Sequence, residues 1–256
     1  MMNKLVYWGK GLCMCFWLAG CVHSKEAEII NQKAFLLPVI EEKQLERPAD
    51  TETEKRMRNQ GLGDIQEIDS TIQVYLVYAT TANFVGKVLY SDIRKAFMLP
   101  ETARRLADAQ RRLKMLRPEL SLMVYDAARP MDVQKEMWDK VRGTDKRVYV
   151  SNPANGGGLH NYGAAVDLTL VDATGLPLPM GSPFDWFGDE ARPDREEELI
   201  KQGKMILLHL HNRRLLRKVM TDAGFKILPS EWWHFNLVSR EEAKNTLKRI
   251  ELKNGE

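Results

Sequence analysis

The sequence predicts an α+β fold: a single domain whose small, mainly antiparallel sheet is flanked by helices. Three observations predict it. Apolar runs of strand length and amphipathic runs of helix length are interleaved without the regular βαβ rhythm of a parallel sheet. Two strand-like segments near the C-terminus follow one another directly, as hairpin partners do. The composition, 44% hydrophobic and 29% charged over 256 residues, is that of an ordinary globular chain.

The first segment stands apart from that domain. Lys4 and Lys10 supply positive charge ahead of an apolar run over residues 11–19, the pattern of a secretory signal and too short to span a bilayer. Leu18-Ala19-Gly20-Cys21 resembles a bacterial lipobox. Residues 1–20 are therefore expected to be a lipoprotein signal peptide, with Cys21 acylated and anchored to a membrane. Val22 after the cysteine favours the outer membrane, and the expected location is the periplasmic face of the cell envelope. Residues 21–63 are charged and weakly patterned, apart from an apolar patch at 34–40, and read as a tether. The domain is expected over 64–256.

The domain's elements follow in order. Residues 72–78 alternate as a strand does, and 101–116 have the apolar spacing of an amphipathic helix bracketed by Pro100 and Pro118. Residues 120–125 read as a buried strand and 131–141 as a helix after Pro130. A strand over 164–170 follows the glycine-rich loop at 155–158. Residues 205–223 form a helix ended by Gly224, and 225–228 with 232–238 form the closing strand pair. Ser239 with Glu242 three residues on marks the start of a final helix.

Charge and cysteine usage exclude several chemistries. The net charge of +3 and the lack of a long basic stripe argue against nucleic acid. Arg104, Arg105, Arg111 and Arg112 read as a solvated helix face. The three cysteines are Cys13, Cys15 and Cys21, so the mature chain keeps one, committed to lipid. A metal would have to be held by His, Asp or Glu.

Histidine is scarce: His23, His160, His209, His211 and His234. His23 falls in the tether. His209 and His211, two apart on a helix, do not share a face and read as packing or surface residues. His160 leads into the run that ends at Asp167, an acid among Val166, Leu168 and Leu170. Such a carboxylate is costly to bury without a partner, although a polar strand face is the plainer reading. Glu231-Trp232-Trp233-His234 adds a second acid and imidazole. Two His, an Asp and a Glu suit catalytic zinc, which keeps three protein ligands and one water position. Spacing does not decide which acid is ligand and which is base. Glu231 and His234 would oppose each other on a flat strand, so Glu231 must precede the strand or a bulge must re-aim it.

Residues 75–238 resemble the D-alanyl-D-alanine dipeptidases of the zinc D,D-peptidase superfamily, the group that includes the vancomycin-resistance dipeptidase. The matching pieces are Tyr78-Ala79-Thr80 with Asn83-Phe84, Asp126-Ala127-Ala128-Arg129-Pro130, residues 160–170, Met180-Gly181-Ser182-Pro183-Phe184-Asp185, and Glu231-Trp232-Trp233-His234-Phe235. The resemblance implies one Zn2+ per chain at the sheet, with His160, Asp167 and His234 as ligands and Glu231 as general base. It implies that Arg129 stabilises the developing oxyanion, and that Asp185 and Tyr78 receive the substrate's free amine. One position departs: the superfamily's Ser two residues before the first ligand is Gly158 here. The expected substrate is D-Ala-D-Ala or a related D-amino-acid dipeptide. The alternatives are a D,D- or L,D-carboxypeptidase acting on longer cell-wall peptides, and a non-catalytic wall-binding lipoprotein.

Overall fold

Seven strands make two sheets in the computed structural model, which describes residues 47–252. The signal segment, Cys21, the tether up to residue 46 and the patch at 34–40 lie outside the described residues. Strands β1 (Gly63–Asp64) and β3 (Phe97–Met98) pair antiparallel. The main sheet contains β2 (Gln73–Val74), β4 (Ser121–Asp126), β5 (Ala165–Val171), β6 (Lys226–Leu228) and β7 (Glu231–Asn236), in the order β2-β4-β5-β7-β6. Only β2 and β4 are parallel; the other pairs are antiparallel. The predicted α+β class with a mainly antiparallel sheet is what the chain adopts.

Six helices accompany the sheets among the described residues: α1 (Glu52–Asn59), α2 (Pro100–Leu116), α3 (Met131–Val141), α4 (Glu196–Lys201), α5 (Leu207–Asp222) and α6 (Arg240–Thr246). Helix α2 begins on Pro100, whose missing N–H costs nothing in the first turn. Its Leu106 and Leu113 join Leu122 and Val124 of β4, Leu168 of β5 and Leu216 of α5 in one fully buried cluster. Truncating any of these leucines to Ala would cost about 2–5 kcal/mol. All seven residues of β5 are buried. That is why the strand reads as an apolar run, and why the polar atoms of Asp167 within it need partners. None of these helices is long and apolar enough to cross a membrane.

The structure shortens two sequence expectations. Over 72–78 only Gln73–Val74 is strand, and the chain then turns through a 3-10 segment at Val77–Ala79. Tyr78 therefore leaves the sheet edge and points inward. The fifth helix spans Leu207–Asp222 rather than 205–223. The closing hairpin and the final helix form where expected, with Ser239 Oγ accepting from the Glu242 amide at 3.1 Å.

The start of the domain is earlier than residue 64. The compact unit begins at Ala49. A capping box between Thr51 and Glu54 opens α1, and Met57 is completely buried. Glu54 Oε1 accepts from the amides of Arg94 (2.8 Å) and Lys95 (3.1 Å), and Lys95 Nζ reaches Asp50 Oδ1 at 2.6 Å. So residues 49–63 are domain, not tether. Their composition misleads because one buried methionine and a run of acid–base pairs suffice to seat so short a helix.

Candidate active site

A row of side chains crosses three strands. Asp167 on β5 stands opposite His234 on β7 and opposite Asp126 on β4. Residues in register project to the same face, so the ladder itself gathers these groups. His160 comes from the turn Leu159–Tyr162 that leads into β5. The turn ends on Gly163 at φ +67°, where a Cβ would meet the Leu62 side chain at 2.8 Å, so only glycine fits.

Three atoms converge. His160 Nε2, His234 Nδ1 and Asp167 Oδ1 lie 3.1, 3.2 and 2.9 Å apart pairwise. A tetrahedral ion with bonds of about 2.0–2.2 Å needs donors about 3.3 Å apart. The outer nitrogens decide the tautomers. His160 Nδ1–H donates to the Ala127 carbonyl (2.8 Å), and His234 Nε2–H donates to Asn236 Oδ1 (2.8 Å). The two inner nitrogens of the neutral rings are then bare lone pairs facing each other beside a carboxylate oxygen. That donor set fits a divalent cation, and its outer hydrogen bonds are those that orient metal-binding imidazoles. Burial works against charge on Asp167, but the two imidazoles, when they carry a proton toward it, outweigh that cost and hold its carboxyl well below the usual range.

Arg129 follows β4. Its Nε and Nη2 both donate to Asp126 Oδ2, and Nη1 donates to Gln134 Oε1 at 2.9 Å. Tyr90 donates to the other Asp126 oxygen at 2.6 Å. The guanidinium is thus fixed, with Nη2 3.9 Å from Asp167 Oδ2 and the Tyr78 ring beneath it. Sequence reasoning quoted Asp126 as part of a motif but assigned it no part in the site. It missed Asn236, Gln134 and Tyr90 entirely. Asn236 was legible in one respect, since it lies two residues beyond His234 on a strand and so shares its face.

Glu231 opens β7, and a register shift between Ile227 and Leu228 breaks the β6–β7 ladder beside it. Of the two expected routes, Glu231 ahead of the strand or a bulge, Glu231 is the strand's first residue and a break in the ladder adjoins it; Glu231 and His234 both line one cavity of about 400 Å3. Burial pushes the Glu231 carboxyl up to about 7, with His234 pulling it down and Asp167 and Asp185 pushing it further up.

Asp185 and Tyr78 line the same cavity. Tyr78 donates to Asp185 Oδ1 at 2.9 Å, while Asp185 Oδ2 is buried without a satisfactory hydrogen bond. Burial raises the Asp185 carboxyl to about 7, against the pull of the Tyr78 hydroxyl. Its backbone sits at φ +60°, the only non-glycine residue there among those described, at a cost of about 1–3 kcal/mol.

Gly158 and Ser151 also line the cavity. A Cβ at 158 would approach Ser151 Oγ to 3.0 Å. Ser151 therefore offers a hydroxyl beside the place where residue 158 has none. His209 and His211 lie outside the cavity, and the His209 ring packs tightly against Gly181 with its Nδ1 buried and without a close hydrogen bond.

Comparison with known proteins supplies the class. The sequence profile described as D-ala-D-ala dipeptidase matches residues 58–250. The chain is 31% identical over 179 residues to the D-alanyl-D-alanine dipeptidase of Escherichia coli (strain K12), covering 69% of this chain and 84% of that protein. It is 29% identical over 162 residues to that of Synechocystis sp., covering 52% and 66%. The corresponding protein of Enterococcus faecalis is 28% identical over 181 residues, covering 63% and 83%. Fold and site thus define a peptidase. The chain belongs to the D-Ala-D-Ala dipeptidase family, which is in general zinc-dependent.

Proposed function

We propose that this peptidase hydrolyses D-Ala-D-Ala or a related D-amino-acid dipeptide, using one zinc ion held by His160, Asp167 and His234. The observation that carries the dipeptide reading is Asp185 Oδ2, an unpartnered carboxylate oxygen in the cavity that also holds Glu231. A buried acid in that place suits a substrate ammonium close to the bond being cut.

When bound, zinc would acidify a water and polarise the scissile carbonyl. Glu231 takes a proton from the attacking water and hands it to the leaving amine, a task suited to a carboxyl poised near neutrality. Arg129, held by Asp126 and Gln134, presents a fixed cation to the oxyanion as charge develops. Asp185 and Tyr78 orient the substrate through its ammonium.

One observation favours the carboxypeptidase alternative. A second cavity of about 480 Å3 shares Phe84, Asp185 and Phe187 with the first. A longer peptide would pass through it. The discriminating assay supplies the zinc-loaded protein with D-Ala-D-Ala and with an N-blocked peptide ending in D-Ala-D-Ala. Faster cleavage of the free dipeptide is expected; preference for the blocked peptide would overturn the dipeptidase reading.

We also propose that Cys21 carries a lipid that holds the enzyme at the periplasmic face of the envelope, at the outer membrane. The lipobox-like Leu18-Ala19-Gly20-Cys21 and Val22 support this. Cys21→Ser should abolish labelling with a radioactive fatty acid and release the protein from the membrane fraction. Membrane retention without label would count against it.

A further inference from the structure

Arg213 on α5 is 2% exposed, among the largest fully buried side chains described. Its nearest acid is Glu196, with Nη1 3.7 Å from Oε1, and Glu196 is held more closely by Arg217 at 2.8 Å. The close contacts of Arg213 are to backbone instead. Nε donates to the Met180 carbonyl at 2.6 Å and Nη2 donates to the Glu190 carbonyl at 2.5 Å. Those carbonyls stand at the two ends of the loop over residues 180–190, which carries Asp185.

The neighbours reinforce the same loop. Asn212 Nδ2 donates to the Pro179 carbonyl at 2.8 Å. Gly181 lies so close to the His209 ring that a Cβ there would come within 3.0 Å. The Arg213 guanidinium lies 5.8 Å over the Trp232 ring, and Trp232 Nε1–H donates to Ser182 Oγ at 3.0 Å. Trp232 adjoins Glu231, so one guanidinium joins both ends of the loop to the strand that bears Glu231.

We propose that Arg213 is a positioning residue for the amine end of the site: by clamping the Met180 and Glu190 carbonyls together it holds the loop in the one shape that aims Asp185 into the cavity. Two features support a positioning role over simple core filling. A buried guanidinium is costly where an apolar side chain of similar volume would pack, and here its hydrogen bonds go to both ends of one loop. Asp185 sits at φ +60°, a conformation that persists only where the surroundings enforce it. Burial draws the Arg213 guanidinium down to about 10, which leaves it charged at neutral pH and its donors intact. The inference rests on the reading of Asp185 as the amine acceptor.

The test uses Arg213→Lys, which keeps the charge but loses the fork that spans both carbonyls. Hydrogen exchange followed by mass spectrometry reads the loop directly. Faster exchange confined to residues 181–189 is expected; unchanged exchange there would overturn the clamp. Kinetics with D-Ala-D-Ala read the consequence. KM should rise about tenfold while kcat stays within about twofold, because a misplaced anchor weakens binding before chemistry. In an Asp185→Asn background the same change should add nothing to KM. An equal further rise there would show that Arg213 does not act through Asp185. If Asp185→Asn alone leaves KM unchanged, the amine reading fails, and loop exchange still decides the clamp. Arg213→Met, with a melting curve, guards against a lysine that reaches both carbonyls: it too must loosen 181–189 selectively, and global unfolding in its place would overturn the proposal in favour of a core role.

Discussion

Asp167 Oδ1 and His234 Nδ1 face each other at 2.9 Å on residues directly opposite in the β5–β7 ladder. Two of the three candidate ligands are thus placed by backbone hydrogen bonding rather than by loops. The third, His160, is tied to the same frame, since its carbonyl accepts from the Arg129 amide at 3.0 Å. Backbone pairing thus holds the residues of all three donors in place, which keeps the entropic cost of ordering such a site low.

Metal removal should therefore have a large effect on stability as well as activity. Zinc at about 1,000 times its Kd adds about 4 kcal/mol to the folded state. Dialysis against a chelator should abolish hydrolysis and lower Tm, and zinc should restore both. Asp167→Asn should cut the zinc content measured by plasma mass spectrometry; full zinc occupancy in that variant would contradict its role as ligand.

Glu231→Gln should lower kcat by about 10²- to 10⁴-fold, the usual worth of a positioned proton carrier. Zinc stoichiometry should not change, because the glutamate is absent from the three-atom cluster. Full activity in this variant would mean that another group carries the proton.

Asp185 gives a pH dependence whose sign is fixed by burial. Its carboxyl titrates near 7, raised from 3.8, so it loses its charge as pH falls through neutrality. KM for D-Ala-D-Ala should rise below about pH 7, and Asp185→Asn should flatten that limb. For the substrate-free fold the sign is opposite. A raised carboxyl contributes stability that is complete below 3.8 and lost as pH rises through 7. Asp185→Asn should therefore gain more Tm relative to the parent at pH 8 than at pH 5. A parallel shift at both values would show that the acid is not strained by burial.

Arg129→Lys should lower kcat by about 10²- to 10³-fold with little change in KM, since a lysine cannot reproduce the forked contact with Asp126 and Gln134. Asp126→Asn should follow in the same direction, through the guanidinium it holds. Loss confined to KM would place Arg129 in ground-state binding instead.

Ser151→Ala should raise KM for the dipeptide by about two- to tenfold, the worth of one hydrogen bond, if its hydroxyl serves where Gly158 lacks one. Gly158→Ser crowds Ser151 Oγ at 3.0 Å in the parent but has room once residue 151 is alanine. The double variant should recover the lost affinity. No change in KM on removing the Ser151 hydroxyl would leave that hydroxyl without a part in binding.

Much of this site was legible in the chain. The residues His160, Asp167, Glu231 and His234 drew notice because histidine is scarce and because an acid in the fully buried β5 needs a partner. The need for a break or an early position at Glu231 follows from a conflict of strand period with shared chemistry, and the ladder is broken beside it. What stayed hidden depends on contacts distant in sequence. Asp126 looked like one letter of a motif until Arg129, Tyr90 and His160 closed around it, with His160 Nδ1 3.5 Å from its Oδ2. Nothing in the sequence singles out Arg213, and only the packed fold turns it inward. Residues 72–78 alternate like a full strand, but the turn at Val77–Ala79 ends it after two residues.

The helix α1 decides where this chain can be shortened. A fragment that starts at Asp64 would strip the partner from the Arg94 and Lys95 amides and bare the pocket that Met57 fills. Recombinant work on a soluble form should therefore keep Ala49 and everything after it. Proteases that cut just ahead of Ala49 would leave the compact unit whole, whereas a cut inside α1 would unmake it.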